Sequence, residues 1–235
     1  MNKTFLAIIP ARGGSKRLPR KNILDLCGKP LISYSIEAGL KSKYISKVVV
    51  TSDDNEILTI SKEYGAVTIN RPEYLANDTA TTFGALEHTI NSLEKYDYIV
   101  LLQPTSPLRN EKHIDEAIAL LNEKDANAVI SVCETEHSPL WCNTLDEELN
   151  MSNFLSKEIL NKRSQDLPKY YRINGAIYIC KTEELLKNKG FFLKDKVFAY
   201  IMDKKDSVDI DEEIDFFMSE YIIKHAQNTN YGSSK

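Results

Sequence analysis

Arg12, Lys16, Arg17, Arg20 and Lys21 fall in one short stretch, Pro10 to Asn22, which also holds Gly13, Gly14 and Ser15. Glycines let a backbone come close to a ligand. Successive backbone N–H groups in such a loop form an anion-binding concavity, and Arg and Lys add full charges toward phosphate oxygens. A solvated basic turn is the alternative, but it has no use for paired glycines at this density of cations. The stretch follows the apolar run Phe5–Ile9, and open α/β sheets bind ligands just past their strands. The chemistry implied is a cradle for a nucleoside triphosphate. Neither Gly-x-x-x-x-Gly-Lys-Ser/Thr nor Gly-x-Gly-x-x-Gly is present, so this is neither a P-loop nor a dinucleotide fingerprint.

A second group is Asp206-Ser-Val-Asp209-Ile-Asp211-Glu-Glu. In an extended segment, Asp209 and Asp211 share a side, and two carboxylates there make a hard-oxygen site suited to Mg²⁺. Asp211 could equally cap the helix that follows; Asp209 stands too early to do so. A third group, Gln103-Pro-Thr105-Ser106-Pro-Leu-Arg109, follows a buried run and reaches the same sheet edge if the sheet is parallel. Arg163, and Arg172 with Asn174 and Gly175, could clamp a carboxylate, or be surface arginines. Arg71 ends a strand, and Asp78 to Thr82 precedes a helix for which a threonine is the expected N-cap. His88, His113, His137 and His225 lack metal-ligand spacing.

The elements that must position these groups alternate. Buried β-type runs are expected at Leu6–Ile9, Val48–Thr51, Val67–Ile69, Tyr98–Leu102, Ala128–Val132, Ala176–Ile179 and Val197–Ile201. Helical patterns are expected at Leu31–Leu40, Asp54–Tyr64, Thr81–Leu93, Glu111–Asn122 and Glu212–Ala226. Alternation of this kind implies an α/β, doubly wound, mostly parallel sheet. The pattern fails over 138–173, around Trp141 and Tyr170–Tyr171, where an irregular insertion is expected to serve an interface or a ligand wall. The 235 residues fit one domain, 1–235, and a polar tail from Gln227 to Lys235 is expected to fray. The net charge of −4 argues against a general nucleic-acid binder. Cys27, Cys133, Cys142 and Cys180 show no C-x-x-C spacing and read as reduced thiols. With no apolar run long enough to span a bilayer and no signal-peptide pattern, a cytoplasmic protein is expected.

Taken in order, Ile9 to Asn22, Gly28-Lys-Pro-Leu-Ile, Thr51-Ser-Asp53, Leu102 to Arg109, Tyr171 to Tyr178 and Asp206 to Asp211 resemble the N-acylneuraminate cytidylyltransferases, the CMP-sialic acid synthetases, over nearly the whole chain. The resemblance implies a Rossmann-like nucleotidyltransferase fold and the joining of CTP to a nine-carbon 2-keto sugar acid with release of pyrophosphate. It implies that Arg12, Gly13, Gly14, Ser15, Lys16 and Lys21 hold the triphosphate, and that Asn22, Arg71, Ala80 and Thr82 read cytosine and ribose. Asp209 and Asp211 would hold Mg²⁺, acting with Lys21 as the catalytic group. Gln103, Arg163, Arg172, Asn174, Tyr178, Phe191 and Phe192 would bind the sugar. It makes 138–173 a dimerisation arm of a homodimer, with Arg163 or Arg172 acting across subunits. The segment from Glu136 to Leu145 departs from the sialate enzymes toward relatives acting on bacterial analogues such as legionaminate. Enzymes for pseudaminate or 3-deoxy-manno-octulosonate, or a nucleotide-sensing module on the same fold, are the alternatives.

Overall fold

The computed structural model describes residues 3–229. The chain runs β1 (Phe5–Pro10), β2 (Asp25–Leu26), β3 (Lys29–Pro30), α1 (Leu31–Lys41), β4 (Ile45–Ser52), α2 (Asn55–Glu63), β5 (Val67–Asn70), α3 (Thr82–Asn91), β6 (Tyr98–Leu102) and α4 (Glu111–Glu123). It continues through β7 (Ala128–Glu134), β8 (Tyr171–Lys181), α5 (Thr182–Asn188), β9 (Val197–Ile201) and α6 (Glu213–Thr229). Helix α6 thus takes in the start of the expected polar tail; residues 230–235 lie outside the described ones.

Seven strands form one sheet in the order β5-β4-β1-β6-β8-β7-β9. All neighbours are parallel except β8, which runs antiparallel to both β6 and β7. Its strands are near-continuous apolar runs because both faces are covered. Phe5, Ala7 and Ile9 face one core with Ile32 and Ile36 of α1, Ile57 of α2 and Ile114, Ala117, Ile118 and Leu121 of α4. Leu6 and Ile8 face the other, with Leu86 of α3 and Leu185 of α5. The period-2 alternation of β1 therefore divides its side chains between two apolar layers rather than between core and water. The β2–β3 hairpin, Ile210 and α6 close a third, smaller cluster through Leu26, Leu31 and Phe216.

Strand order decides where the loops meet. Strand β1 pairs with β4 on one side and β6 on the other, so the chain leaves β1 toward β4 and β5 and later returns to its opposite flank. The crevice opened by that reversal, beyond the carboxyl ends of β1 and β6, is where such sheets take ligands. Residues 135–170 leave β7 and re-enter at β8, and Glu134 pairs with Tyr171. This span holds only two short 3₁₀ turns, Pro139–Trp141 and Ser164–Asp166, and exposes Leu145, Leu149, Met151 and Leu160. Among the described residues no helix is long and apolar enough to cross a membrane, and Cys27, Cys133, Cys142 and Cys180 are free.

Candidate active site

The cationic loop is bolted to the start of α2. Gly13 N–H donates to Asp53 Oδ1 at 3.2 Å, and a Cβ at Gly13 would stand 2.7 Å from Asp54 Oδ2. Only glycine lets the backbone pass there. Asp54 caps α2 by accepting from the Glu56 and Ile57 N–H groups, and also takes Arg20 Nη1 at 2.5 Å. Burial pushes the Asp54 carboxyl up, but the Ile57 N–H and Arg20 outweigh it and hold it low. Arg20 is thus consumed in fixing the loop, a role its place among the cations does not reveal. Asn22, buried, donates to the Arg12 carbonyl at 3.0 Å and leaves its Oδ1 without a partner.

Two adjoining hollows lie over the carboxyl ends of β1 and β6. One, of about 330 Å³, is lined by Arg12, Arg71, Ala80, Thr81, Thr82 and Gln103. The other, of about 390 Å³, is lined by Arg12, Ser15, Lys16, Lys21, Asn22 and Asp211, with Gln103 again. Arg12 and Gln103 border both, so they form one cleft with two chambers. Thr81 is the N-cap of α3, accepting from Gly84 N–H at 3.1 Å. Arg71 is 6% exposed, lies 3.5 Å from Asp53, and has no hydrogen-bonding partner for Nε or Nη2. Burial lowers its pKa against the pull of Asp53. At the mouth, Asp78 spans Lys16 at 2.6 Å and Arg12 at 3.4 Å, placing an anion between two cations of the cradle.

The acidic pair stands beside the second chamber. Ile210 turns into the α6 cluster while Asp209 and Asp211 face away from it. Asp211 receives Lys21 at 3.1 Å and Arg17 at 3.1 Å, and Lys21 also donates to the Ile210 carbonyl. The helix start is served by Asp215, whose Oδ2 accepts from the Asp211 and Glu212 N–H groups. Of the two roles open to Asp211, its carboxylate faces the cations. Asp209 is drawn upward in pKa by burial, with Asp211 adding to the shift and a Thr105 hydrogen bond opposing it. Its Oδ1 is buried without a partner. A half-buried carboxylate with an orphaned oxygen, two positions from a second carboxylate, is a donor set that fits a hard divalent cation. Among the described residues no cluster of three or more His, Cys, Asp or Glu could hold a metal, so further ligands would come from phosphate and water.

Strand β8 brings the remaining residues. Gly175 has φ +77°, and its Cβ would meet Asp209 Oδ2 at 3.4 Å. It lies within the irregularity of the β7–β8 register, between Ile173 and Tyr178, so the strand bulges where it passes the carboxylate. Asn174 is 1% exposed and fully engaged: its Oδ1 accepts from Ser131 and its Nδ2 donates to Ser207. Expected to touch the sugar, it instead lies in the interior and braces β8 against the acidic segment. Arg172 is forked onto Glu136 at 3.1 and 3.3 Å and reaches the Ser207 carbonyl at 3.4 Å. Glu136 raises the Arg172 pKa and is itself lowered by it. Arg163 is exposed on the inserted span and pairs with Asp166 within its own turn, apart from the hollows. Tyr178, Phe191 and Phe192 come together around a third hollow of about 260 Å³, which Gln103 also borders. Sequence reading did not single out Asp53, Asp54, Asp78 and Glu136 as site residues; each is a carboxylate near a basic residue already picked out.

Fold and cleft together define an α/β protein whose sheet-edge cleft sets a cationic loop beside an acidic pair. The cytidylyltransferase family profile matches residues 6–231, and the chain belongs to that family. It is 40% identical over 218 residues to the N-acylneuraminate cytidylyltransferase of Escherichia coli, covering 92% of this chain and 51% of the relative. It is 34% identical over 231 residues to the CMP-N,N'-diacetyllegionaminic acid synthase of Legionella pneumophila, covering 94% and 96%. It is likewise 34% identical over 227 residues to a pseudaminic acid cytidylyltransferase of Campylobacter jejuni, covering 94% and 97%. The chain therefore spans about half the length of the first relative and nearly all of the other two. Among solved structures, a CMP:2-keto-3-deoxy-manno-octonic acid synthetase complexed with CTP matches the fold with a TM-score of 0.69 at 18% identity, over 96% of this chain and all of that one.

Proposed function

We propose that this protein is a cytidylyltransferase that activates a nine-carbon 2-keto sugar acid with CTP, releasing pyrophosphate. The observation that carries the reading is the meeting of three groups in one cleft: the loop from Arg12 to Asn22, Asp211 with Asp209 two positions away, and Gln103, which also borders the apolar hollow. The named relatives, which act on N-acylneuraminate, legionaminate and pseudaminate derivatives, support the substrate class.

Transfer of a nucleotidyl group is mostly positioning and charge neutralisation. Arg12, Lys16 and the Gly13–Ser15 backbone would hold the triphosphate, displacing Asp78 from the two cations. Arg71 Nε and Asn22 Oδ1, both buried without partners, offer unused hydrogen bonds to the nucleoside. The anomeric hydroxyl of the sugar would attack the α-phosphorus as its proton passes to water, the bond from that phosphorus to the β-phosphate oxygen breaking as pyrophosphate leaves in line. Lys21, held between Asp211 and the Ile210 carbonyl, is placed to neutralise charge that develops there. Asp209 and Asp211 would hold Mg²⁺, which supplies further neutralisation at the phosphates. Tyr178, Phe191 and Phe192 wall the sugar's apolar side, and Arg172 would exchange Glu136 for the sugar carboxylate. The exposed apolar residues of the 135–170 span support its use as a dimerisation arm, which would carry Arg163 toward a partner's site.

The test is pyrophosphate release from purified protein, Mg²⁺ and each of the four NTPs, with N-acetylneuraminate, legionaminate, pseudaminate or 3-deoxy-manno-octulosonate. Release with CTP and one nonulosonate is expected and names the sugar. Binding of CTP with no release from any sugar would favour the nucleotide-sensing alternative.

A further inference from the structure

Arg109 is the most deeply buried cation among the described residues. It is 1% exposed, and no carboxylate meets it. Its Nη2 donates to Ser35 Oγ at 2.5 Å and to the Gln103 carbonyl at 3.4 Å, while Nε and Nη1 have no partner. Burial lowers its pKa to about 10, so it stays charged at neutral pH. Burying a cation this incompletely paired is costly, and an aliphatic side chain would fill the same space without that cost. The charge therefore calls for a role beyond packing.

The bonding around it points to one. The Gln103 carbonyl accepts from Arg109 Nη2, from Ser35 Oγ at 3.1 Å and from Ser106 N–H at 3.4 Å. Those donors come from α1 and from the far end of the same loop, so the carbonyl is the knot that ties the loop to α1. Immediately beyond it, the Thr105 carbonyl accepts from Ile210 N–H at 2.8 Å, and Ile210 is the residue between Asp209 and Asp211. The path from Arg109 to the acidic pair is thus Gln103 carbonyl, Pro104, Thr105, then Ile210 with Asp209 and Asp211 on either side of it. Pro104 stiffens the one link that is not a hydrogen bond.

We propose that Arg109 is a positioning residue: by clamping the Gln103 carbonyl to α1 it fixes the 103–105 loop, and through Thr105 it holds Asp209 and Asp211 in the register that binds the divalent cation. The consequence for metal use rests on the proposed function; the consequence for the loop does not. Lysine cannot substitute fully, because its compact ammonium is more strongly hydrated than the delocalised guanidinium and costs more to bury.

The test compares Arg109→Met, Arg109→Lys and the milder Ser35→Ala with the unaltered protein. Amide hydrogen exchange is read first, with no ligand. Expected is at least a tenfold loss of protection at Ile210 N–H in Arg109→Met, with Ile8 and Val100 in the central strands unchanged. Mg²⁺ is then titrated against CTP-loaded protein by calorimetry and by turnover. The half-saturating Mg²⁺ concentration should rise about tenfold, with CTP affinity in excess Mg²⁺ held within twofold. Arg109→Lys should recover part of both. A merely structural arginine would lower protection throughout the sheet and leave the Mg²⁺ midpoint alone, and that result would overturn the proposal. If Arg109→Met does not fold, Ser35→Ala carries the same two readouts, and unchanged Ile210 protection there overturns it equally. Should no sugar be activated, the exchange result still decides the loop's dependence on Arg109.

Discussion

The two ends of the sheet differ in an instructive way. The larger hollow, about 840 Å³, lies at the end where β1 and β6 begin, between Lys3, Tyr96, Tyr98 and Lys181. Its polar groups are settled: Asp97 Oδ2 accepts from both Thr4 N–H and Thr4 Oγ1 at 2.8 Å, Thr182 Oγ1 donates to the Tyr96 carbonyl, and Lys3 bonds Asn122. None of the described residues lining it carries a buried polar atom without a partner. The smaller cleft at the opposite end is bordered by unfinished bonds, at Arg71, at Asn22 and on neighbouring Asp209. Buried polar groups are almost always satisfied. Volume therefore ranks the two ends one way and unmet hydrogen bonding the other, and only the second criterion is tied to chemistry.

The sharpest break of this contrast would be at the acidic pair. Asp211→Asn is expected to reduce turnover by about 10²–10³-fold, the scale for removing one electrostatic stabiliser of a transition state. CTP affinity should move far less; steady-state kinetics beside calorimetry would show unaltered turnover if Asp211 were only a surface carboxylate. Next in size, Arg12→Ala should weaken CTP binding by roughly tenfold or more, since charge-assisted hydrogen bonds contribute about 1.5–3 kcal/mol. Equal affinity in the two proteins would empty the cradle of meaning.

Asp209 gives a smaller effect with a defined sign. Burial raises its folded pKa above the unfolded value, so ionisation weakens folding at neutral pH; that penalty fades as pH falls through the raised folded pKa and is gone below the ordinary carboxylate value. Asp209→Asn should therefore raise the melting temperature of the ligand-free protein by about 2–4 °C at pH 7, the shift that roughly 1 kcal/mol produces at this size. The gain should vanish in acid. A lower melting temperature at pH 7 would mean the orphaned oxygen has a partner in solution. The smallest effect belongs to the other end of the sheet: Lys181→Met should leave CTP affinity and turnover within about twofold. A loss there matching that of Arg12→Ala would erase the distinction between the two ends.

Much of this was legible in the sequence. Tyr98–Leu102 and Val197–Ile201 lie where their β-branched runs place them, and the parallel pairing of β1 with β6 brings the two loops together. What escaped reading was set by tertiary contact. Strand β8 starts at Tyr171, five residues before the apolar run announces it, because the bulge at Gly175 breaks the alternation. Helix α5 is seven residues long, too short to show a period, and the β2–β3 hairpin has two-residue strands. Asn174 looks like any polar residue beside a glycine; only the fold reveals Ser131 and Ser207 waiting for it. Asp53 reads as the end of the Thr51-Ser-Asp53 motif and Asp54 as the start of a helix, yet both anchor the cationic loop.

The antiparallel course of β8 has a further consequence. Because Glu134 and Tyr171 are paired, residues 135–170 leave and rejoin the sheet at one point, as the lobe of an oversized hairpin. Each doubling of such a lobe adds only about 0.6 kcal/mol of closure entropy. Insertion, deletion and drift in this span are thus nearly decoupled from the folding of the seven-stranded core. The protein carries beside its cleft a segment whose length natural variation can rewrite cheaply, while the sheet that positions Arg12, Gln103 and Asp211 stays as it is.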